Sequence, residues 1–361
     1  MSYYAKFSAF DFDQPYSLNA VEKKRVFLPL LNELSAHHRE KSLEYAKIVG
    51  SLSYPALAAS LEEVPFLPVR LFKHLDLMSL PRNEVFKTLT SSGTSGLAVS
   101  RIFLGRDNAA MQTKVLGSII SNFIGKQRSP MVIIDAEDIL KDRTKFNARA
   151  AGVLGFSMYG KDHAYALDTS MLLKMDMLTA YCDQYREKGI FSFGFTFVVW
   201  KYLYQQLEKN NARLDFGPNS LLIHGGGWKK LSEESISNEN FKTKLQERTG
   251  LRRVHNYYGM VEQTGSIYME CENGHLHTSN YSDVIIRDQM TFKPCSVGAP
   301  GLIQVVSLLP YSYPGHSLLS EDLGVLLGED DCPCGRMGKY FHVLGRMKSA
   351  EVRGCSDVRQ F

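Results

Sequence analysis

Apolar residues recur at two spacings along the chain, and each spacing predicts a different kind of element. Between residues 17 and 49, leucines and valines recur at helical spacing, which predicts one or two amphipathic helices. In VPFLPVRLFK (64–73), Pro65 and Pro68 exclude a helix and favour an extended segment. The apolar run PMVIIDA (130–136) predicts a short buried strand.

The clearest alternation of strands and helices lies between residues 188 and 262. KGIFSFGF predicts a strand, and TFVVWKYLYQQLEKNN predicts a helix that begins near Thr196. NSLLIH predicts the next strand, SNENFKTKLQERTG a helix that ends at Gly250, and LRRVHNYYG a third strand. This β-α-β-α-β order predicts a parallel sheet covered by helices. Ligands bind beyond the carboxyl ends of such strands, and glycines cluster there: Gly194, Gly225–Gly227 and Gly259.

The pattern changes near residue 280, where short strand-like segments begin to alternate with turns. DVIIRD, GLIQVVSLL, GVLLGE and YFHVLGR each have the composition of a strand. We therefore predict an α/β core over residues 1–279 and a β-rich subdomain over residues 280–361.

Composition narrows the class of protein without indicating an activity. The 361 residues carry a formal net charge of +4 at pH 7, with 44% hydrophobic residues and six cysteines. No basic stripe with interleaved aromatic residues is present, so we expect no nucleic-acid partner. We find no secretion signal and no apolar run long enough to span a membrane. Six cysteines are too few for a disulfide framework, and these features together predict a cytoplasmic enzyme.

Two glycine-rich segments are candidate ligand-binding loops. SSGTSG (91–96) combines glycines with hydroxyl groups, as phosphate-binding loops do, but it is not a Walker A loop. Its composition alone is more typical of a mobile surface loop. HGGGW (224–228) matches the oxyanion glycines of lipase-like hydrolases. Such hydrolases also need a downstream Gly-x-Ser-x-Gly, which this chain lacks, so we set that activity aside.

Five motifs follow one another in a fixed order: SSGTSG, HGGGWKK, YYGMVEQTG, SEDLG and GRMKSAEVRG. This order resembles the adenylate-forming superfamily of acyl- and aryl-CoA ligases, luciferases and adenylation domains. Within that superfamily, VPFLPVRLFK, SSGTSG, HGGGWKK and the terminal RGCSD look like the acyl-protein synthetases of bacterial bioluminescence operons, which are long-chain-fatty-acid–protein ligases. CPCGR adds a secondary likeness to phenylacetate-CoA-ligase-like proteins.

The resemblance implies an α/β enzyme that activates a carboxylic acid with ATP and Mg²⁺, without the large C-terminal lid domain of the superfamily. It implies that Glu262 binds Mg²⁺, that Asp322 accepts from the ribose hydroxyls, and that Arg346 reaches the ribose or α-phosphate. The remaining implied nucleotide-binding residues are Ser91, Ser92, Gly93, Thr94, Ser95 and Gly96 around the phosphates, Gly225, Gly226 and Gly227 along the adenine, and Tyr257, Tyr258 and Gly259 near the base or the acyl pocket.

The same resemblance implies that Cys355, in RGCSD, receives the acyl group and passes it to a partner protein, an acyl-reductase or acyl-transferase. A thiolate is the attacking form of such a cysteine. The adenylation lysine of the lid domain has no assigned counterpart here, and Lys339 and Lys348 are candidates only. The usual pair of aspartates after Gly-Arg is also missing. Two alternatives stay open, an acyl- or aryl-CoA ligase and a non-catalytic acyl- or nucleotide-binding subunit.

A separate group of residues predicts a metal site. Cys271, His275 and His277 lie in CENGHLH, and Cys332 and Cys334 lie in CPCGR. Thiolate and imidazole ligands from two turns suit a structural Zn²⁺ in the β-rich subdomain. The alternative interpretation is a group of reduced, partly buried thiols.

Overall fold

The computed structural model describes residues 3–91, 99–140, 148–227 and 236–347, and their contacts divide them into two units. Unit 1 comprises the described residues within 3–122 and 259–347, and unit 2 comprises those within 123–258. The β-rich region that follows residue 280 belongs to unit 1, together with the N-terminal helices. The boundary predicted between residues 279 and 280 stays a prediction.

The secondary structure of the described residues alternates between helices and strands along most of the chain. The helices are α1 (Ala20–Lys41), α2 (Leu43–Ser51), α3 (Leu71–His74), α4 (Arg106–Ile124), α5 (Ala148–Ser157), α6 (Met175–Tyr185), α7 (Thr196–Val198), α8 (Gln205–Lys209) and α9 (Asn238–Thr249). The strands are β1 (Leu67–Pro68), β2 (Lys87–Thr90), β3 (Arg101–Leu104), β4 (Ser129–Ala136), β5 (Gly160–Leu167), β6 (Phe191–Phe195), β7 (Leu221–Gly225), β8 (Arg253–Tyr258), β9 (Tyr268–Glu270), β10 (Leu276–His277), β11 (Ser282–Arg287), β12 (Pro300–Ser307), β13 (Ser317–Glu329) and β14 (Lys339–Arg346).

Unit 2 is built on a parallel sheet with the strand order β8-β7-β6-β4-β5. Strands β6 and β7 are buried along their whole length, which is the pattern of parallel strands covered on both faces. The predicted β-α-β-α-β order is confirmed. Helix α9 ends where the glycine predicts, because Gly250 adopts the left-handed conformation (φ 71°) in which other residues are strained.

The helix that follows β6 departs from regular α-helical geometry. Residues Val199–Tyr204 form a π-helical segment between α7 and α8. Within it, the Trp200 ring stacks on the Tyr204 ring, with centroids 4.4 Å apart and planes at 18°. Such segments are rare and are often found at functional sites. The sequence pattern predicts only a helix here, since a segment of six residues is too short to show a change in hydrophobic spacing.

Unit 1 contains an antiparallel series of strands in the order β11-β12-β13-β14-β10-β9. The strands predicted after residue 280 are confirmed. Strand β1 pairs parallel with β13, so Leu67 lies opposite Leu318. The extended conformation predicted for 64–73 ends earlier than expected, because Leu71–His74 form a short helix. A proline restricts only itself and the residue before it, so the chain is free to turn after Pro68.

A buried ion network connects α1 with the β-rich region of unit 1. The Lys23 ammonium donates to Thr278 Oγ1 (2.9 Å) and lies 3.8 Å from Asp283 Oδ2. The Lys339 ammonium lies 3.2 Å from Asp283 Oδ1 and donates to Val284 O. Both lysines therefore neutralise one buried carboxylate. Lys339 is occupied in this network, which weakens it as a candidate for the adenylation lysine.

Candidate nucleotide and metal sites

The predicted phosphate loop begins at the end of a β-hairpin in unit 1. Strands β2 and β3 pair antiparallel, and the pairing continues beyond them. The Ser91 N–H donates to Ser100 O (3.1 Å), and the Ser100 N–H donates to Ser91 Oγ (2.9 Å). The two ends of the loop are thus joined by hydrogen bonds. The residues between them lie outside the described residues, so the phosphate role of Ser92, Gly93, Thr94, Ser95 and Gly96 stays a prediction.

In unit 2 the predicted adenine-binding glycines lie at the end of β7, beside an aromatic side chain of β8. Gly225 is the register partner of Tyr257. A Cβ atom on Gly225 would lie 2.3 Å from Tyr257 Cε1, so the glycine makes room for the phenol ring. Gly226 has a φ of 80°, in the left-handed region, whereas a Cβ on Gly227 would meet no atom within 4 Å. The close approach of the Tyr257 ring explains the glycine at position 225, and the positive φ explains the glycine at position 226.

The Tyr257 ring belongs to an aromatic group within unit 2. Its centroid lies 5.3 Å from that of Phe156, which stacks on Phe193 at 4.1 Å. Tyr257 and Tyr258 are both partly exposed. The sequence-based role for these tyrosines, near the base or the acyl group, stays a prediction, and the aromatic group supplies a rigid support for it.

His224, which precedes the three glycines, is a buried structural histidine rather than an accessible base. Its Nδ1 atom lies 2.8 Å from Thr196 Oγ1, and its ring packs against Phe241 at 4.7 Å. The Nε2 atom has no hydrogen-bond partner among the described residues. Burial lowers the pKa of His224 to about 3, with smaller contributions from Lys242 and His255, so its imidazole is neutral at physiological pH.

Glu262, the predicted Mg²⁺ ligand, lies in a short 3₁₀ turn of unit 1 (Val261–Gln263) and is buried. Burial raises the pKa of its carboxyl group, while the positive charges of Lys73 and Arg346 oppose that rise. A buried carboxylate of this kind is stabilised in its ionised form by a nearby cation. The burial of this carboxyl group is compatible with a divalent ion site, whereas the two positive charges would compete with such an ion for the carboxylate.

The backbone of this turn is held in place by two neighbouring side chains. The Tyr313 hydroxyl donates to Glu262 O (2.9 Å). The Gln263 amide donates to Val305 O (3.1 Å) and Gly315 O (2.8 Å). The sequence does not reveal the contact with Tyr313, because that residue is 51 positions from Glu262 and no local motif connects the two.

Asp322 and Arg346 lie opposite each other on β13 and β14. The Arg346 guanidinium donates to Glu321 Oε2 (2.6 Å), and the Arg70 guanidinium lies 2.6 Å from Glu321 Oε1. Burial works to raise the pKa of Glu321, but the hydrogen bonds from Arg346 and Arg70 outweigh it and hold that pKa below its usual value. Glu321 therefore fixes Arg346 beside Asp322, a contribution that the sequence motif SEDLG did not reveal.

The structure brings four of the five predicted zinc ligands together in unit 1. One ligand atom from each of Cys271, His277, Cys332 and Cys334 lies within 4.8 Å of all the others. His275 lies outside this group, with its Nδ1 atom 3.3 Å from Cys332 Sγ. Burial lowers the pKa of His277 to about 3, so the imidazole is in the neutral form that binds metal ions.

Cys355, the predicted acyl acceptor, and Lys348 lie outside the described residues. Among the helices of the described ranges, none is long and apolar enough to cross a lipid bilayer.

The chain is similar in fold to solved structures of a CoA ligase. The chain superposes on an open conformation of 2-hydroxyisobutyryl-CoA ligase in complex with 2-HIB-AMP and CoA, with a TM-score of 0.69 and 18% sequence identity over 93% of this chain and 77% of that chain. The same ligase in its postadenylation state with 2-HIB-AMP matches with a TM-score of 0.69 and 17% identity over 93% of this chain and 70% of that chain. The fold is that of the adenylate-forming ligases, as the sequence predicted.

The sequence itself identifies the family. Residues 8–360 match the family of acyl-protein synthetases, LuxE. The long-chain-fatty-acid–luciferin-component ligase of Vibrio harveyi is 23% identical over 95% of this chain and 89% of its own length. The ligase of the same name from Aliivibrio fischeri is 22% identical over 95% and 90%. The chain belongs to the acyl-protein synthetase family and is a ligase that activates a carboxylic acid with ATP.

Proposed function

We propose that the acid is a long-chain fatty acid and that this chain transfers it, once activated, to Cys355 and then to a partner protein. The observation that supports the proposal most strongly is the family match over residues 8–360, within which all five motifs stand. Both relatives that match over nearly the whole chain are named for a long-chain fatty acid.

The first step consists of a nucleophilic substitution at phosphorus. A carboxylate oxygen of the acid attacks the α-phosphorus of ATP, the bond to the bridging oxygen of the β-phosphate breaks, and pyrophosphate leaves. The acyl-adenylate has AMP as a good leaving group, which hydroxide is not. Because two anions must be brought together, the chain needs donors and cations around them.

Several of the predicted residues have the chemistry that this step needs. In unit 1, Asp322 would accept from the ribose hydroxyls and Arg346 would donate to the ribose or α-phosphate, supported by its fixed position on Glu321. In unit 2, the space beside Gly227 is open, since a Cβ atom there would meet no atom within 4 Å, whereas the Tyr257 ring fills the space beside Gly225. The SSGTSG segment would donate N–H and hydroxyl groups to the phosphates.

Among the described residues, we propose that Glu262 holds Mg²⁺. Glu262 is buried, and a bound cation would stabilise the ionised form of its carboxyl group against the rise in pKa that burial causes. The ion would neutralise charge on the phosphates when bound. We also propose that a zinc ion bound by Cys271, His277, Cys332 and Cys334 has a structural role, because these four residues supply a complete set of ligands. The cytoplasmic location stays a prediction.

The second step forms a thioester. The Cys355 thiolate attacks the acyl carbon, the bond from that carbon to the phosphate oxygen breaks, and AMP leaves. The support for Cys355 is its position in RGCSD and the family match that extends past it. The partner would then be an acyl-reductase or acyl-transferase, and the names of the relatives, luciferin-component ligases, point to a reductase system.

Acid-dependent ATP–pyrophosphate exchange tests the activation step. We expect the wild-type chain to exchange label with a long-chain fatty acid and Mg²⁺. Glu262→Gln should lower the exchange rate by at least about a hundredfold, because a charge that stabilises the transferring phosphates is lost. Glu44→Gln, an exposed residue of α2, is the matched control and should retain full activity.

Each other outcome of this assay has a definite meaning. No exchange with any fatty acid would favour the non-catalytic subunit. Normal exchange by Glu262→Gln would remove Glu262 from the metal site. Exchange followed by acyl transfer to added coenzyme A, with no acylated protein, would favour an acyl-CoA ligase.

A further inference from the structure

The cysteines and histidines of unit 1 converge from segments that are far apart in sequence. Cys271 follows β9, His277 is the last residue of β10, and Cys332 and Cys334 lie in the turn between β13 and β14. Cys271 and Cys332 are 61 positions apart. We propose that Cys271, His277, Cys332 and Cys334 bind one Zn²⁺ ion, which joins the β9–β10 hairpin to the β13–β14 turn.

The distances between the ligand atoms suit a tetrahedral zinc ion. Zinc lies about 2.3 Å from thiolate sulfur and about 2.0–2.1 Å from imidazole nitrogen. In a regular tetrahedron these bonds place two sulfurs about 3.8 Å apart and a sulfur and a nitrogen about 3.5 Å apart. Cys271 Sγ and Cys332 Sγ are 3.9 Å apart, and Cys334 Sγ lies 3.4 Å from His277 Nε2. A disulfide does not account for the first distance, since it needs about 2.05 Å.

Backbone hydrogen bonds close the turns that carry the cysteine ligands. The Gly274 N–H donates to Cys271 O (3.0 Å), and the Cys271 N–H donates to His275 O (2.8 Å). The Gly335 N–H donates to Cys332 O (3.0 Å) in the other turn. Contacts of this kind, outside the ligand set, fix the orientation of the ligands.

His275 acts beside the ligand set rather than within it. Its Nδ1 atom lies 3.3 Å from Cys332 Sγ, so a protonated Nδ1 donates to that thiolate. The Tyr340 ring stacks on His275, with centroids 4.9 Å apart, and on His277, with centroids 5.6 Å apart. Tyr340 thereby fixes both imidazoles, one as ligand and one as donor.

The site is structural rather than catalytic, because four protein ligands complete the tetrahedron and leave no position for water or substrate. Cys271, His277 and Cys332 are buried. Access for the ion is on the side of Cys334, where a cleft of about 350 Å³ is lined by Gln14, Tyr16, Asn122, Glu272, Cys334, Gly335 and Arg336.

Zinc would stabilise more of unit 1 than the two turns that carry its ligands. Arg336, two residues after Cys334, forms an ion pair with Glu272, the residue after Cys271 (2.7 Å). The Arg336 guanidinium also lies over the Tyr16 ring at 5.6 Å, and the Met337 N–H donates to Tyr16 O (3.0 Å). Zinc at the cysteines therefore fixes the turn on which the N-terminal segment rests.

Metal content of the untagged, purified protein tests the proposal directly. We expect about one zinc per chain in the wild type. Cys332→Ser with Cys334→Ser should reduce this to below about a tenth of the wild-type content, since two of four ligands are lost. His275→Gln should retain its zinc, and so should Cys295→Ser, which changes a cysteine outside the group. Wild-type protein that is free of zinc and takes up none from solution would overturn the proposal.

A second measurement on the wild-type chain keeps the test independent of how the variants fold. Co²⁺ in place of zinc should give the intense visible absorption of a tetrahedral site and thiolate-to-cobalt charge transfer. A weak, octahedral spectrum would overturn the proposal. Neither measurement depends on acid activation, so a failure here leaves the proposed enzyme activity untouched, and a failure of pyrophosphate exchange leaves the zinc site untouched.

Discussion

Asp322 and Arg346 are register partners on neighbouring antiparallel strands, and the Arg346 guanidinium is held there by Glu321 at 2.6 Å. The two residues thus lie opposite each other in the sheet, and the guanidinium of Arg346 has a fixed partner in Glu321. A nucleotide has ribose hydroxyls and phosphate groups. The Asp322 carboxylate can accept hydrogen bonds from the hydroxyls, and the Arg346 guanidinium can donate hydrogen bonds to a phosphate.

The Asp322→Asn variant tests the acceptor in this pair. It keeps the shape of the side chain and removes a charge-assisted hydrogen bond, which is worth about 1.5–3 kcal/mol. We expect the KM for ATP to rise roughly ten- to a hundredfold, with a melting temperature close to that of the wild type. The assay is pyrophosphate exchange at varied ATP, and an unchanged KM would remove Asp322 from the nucleotide site.

The glycines at the end of β7 allow a matched comparison within one motif. Gly225→Ala places a methyl group 2.3 Å from the Tyr257 ring, so the ring has to move. We expect a loss of stability of about 1–3 kcal/mol, as for other overpacked positions. Gly227→Ala meets no atom within 4 Å and should leave the free energy of unfolding nearly unchanged. Chemical denaturation of both variants measures the difference.

A double variant decides whether the Tyr257 ring causes this loss. Tyr257→Ala in the Gly225→Ala background should cost less stability than Tyr257→Ala does in the wild-type background, because the colliding ring is gone. If the double variant is as unstable as the sum of the two single changes, the clash with Tyr257 is not the reason that Gly225 lacks a side chain.

Buried histidines make the stability of unit 1 depend on pH. His38 and His316 stack with centroids 5.0 Å apart, and burial is the main cause that lowers both pKa values, that of His316 to about 3. The unfolded chain binds these protons near pH 6.5 and the folded chain does not. Stability is therefore complete above about pH 6.5 and falls as the pH drops toward 3, by up to about 1.4 kcal/mol per pH unit for each histidine.

Replacement of one histidine should reduce this acid sensitivity. His316→Gln removes one titrating group, so the slope of unfolding free energy against pH between 6 and 4 should fall by up to about 1.4 kcal/mol per pH unit. His163→Gln, at an exposed position, is the control and should keep the wild-type slope. Equal slopes for all three proteins would show that His316 is not kept neutral by the fold.

The parts of the fold that depend on local signals could be predicted from the sequence. The alternation of strands and helices in unit 2 follows from apolar spacing and from Gly250, which ends α9. The pairing of β1 with β13 could not be predicted, since Leu67 and Leu318 are about 250 residues apart and the strand has only two residues. A long-range contact of this kind is set by the packing of the whole unit.

In the candidate sites too, local features could be predicted from the sequence, whereas contacts between distant residues could not. The sequence predicted that CENGHLH and CPCGR approach each other, because both carry metal ligands. It could not distinguish His277 from His275, since only the pairing of β10 with its neighbours decides which imidazole faces the sulfurs. Glu321 was missed as the partner of Arg346 for a similar reason: the contact crosses two strands. The phosphate loop and Cys355 rest on the motifs and the family match alone.

Covalent labelling of the chain by a radiolabelled long-chain fatty acid and ATP tests the central proposal most directly. We expect a label on the wild-type protein that neutral hydroxylamine releases, as it releases a thioester. Cys355→Ser should abolish this label and leave pyrophosphate exchange nearly intact, because the thiol acts only after AMP activation. Cys295→Ser should keep both activities. A wild-type chain that never labels but forms acyl-CoA, or a Cys355→Ser variant that also loses exchange, would contradict the account.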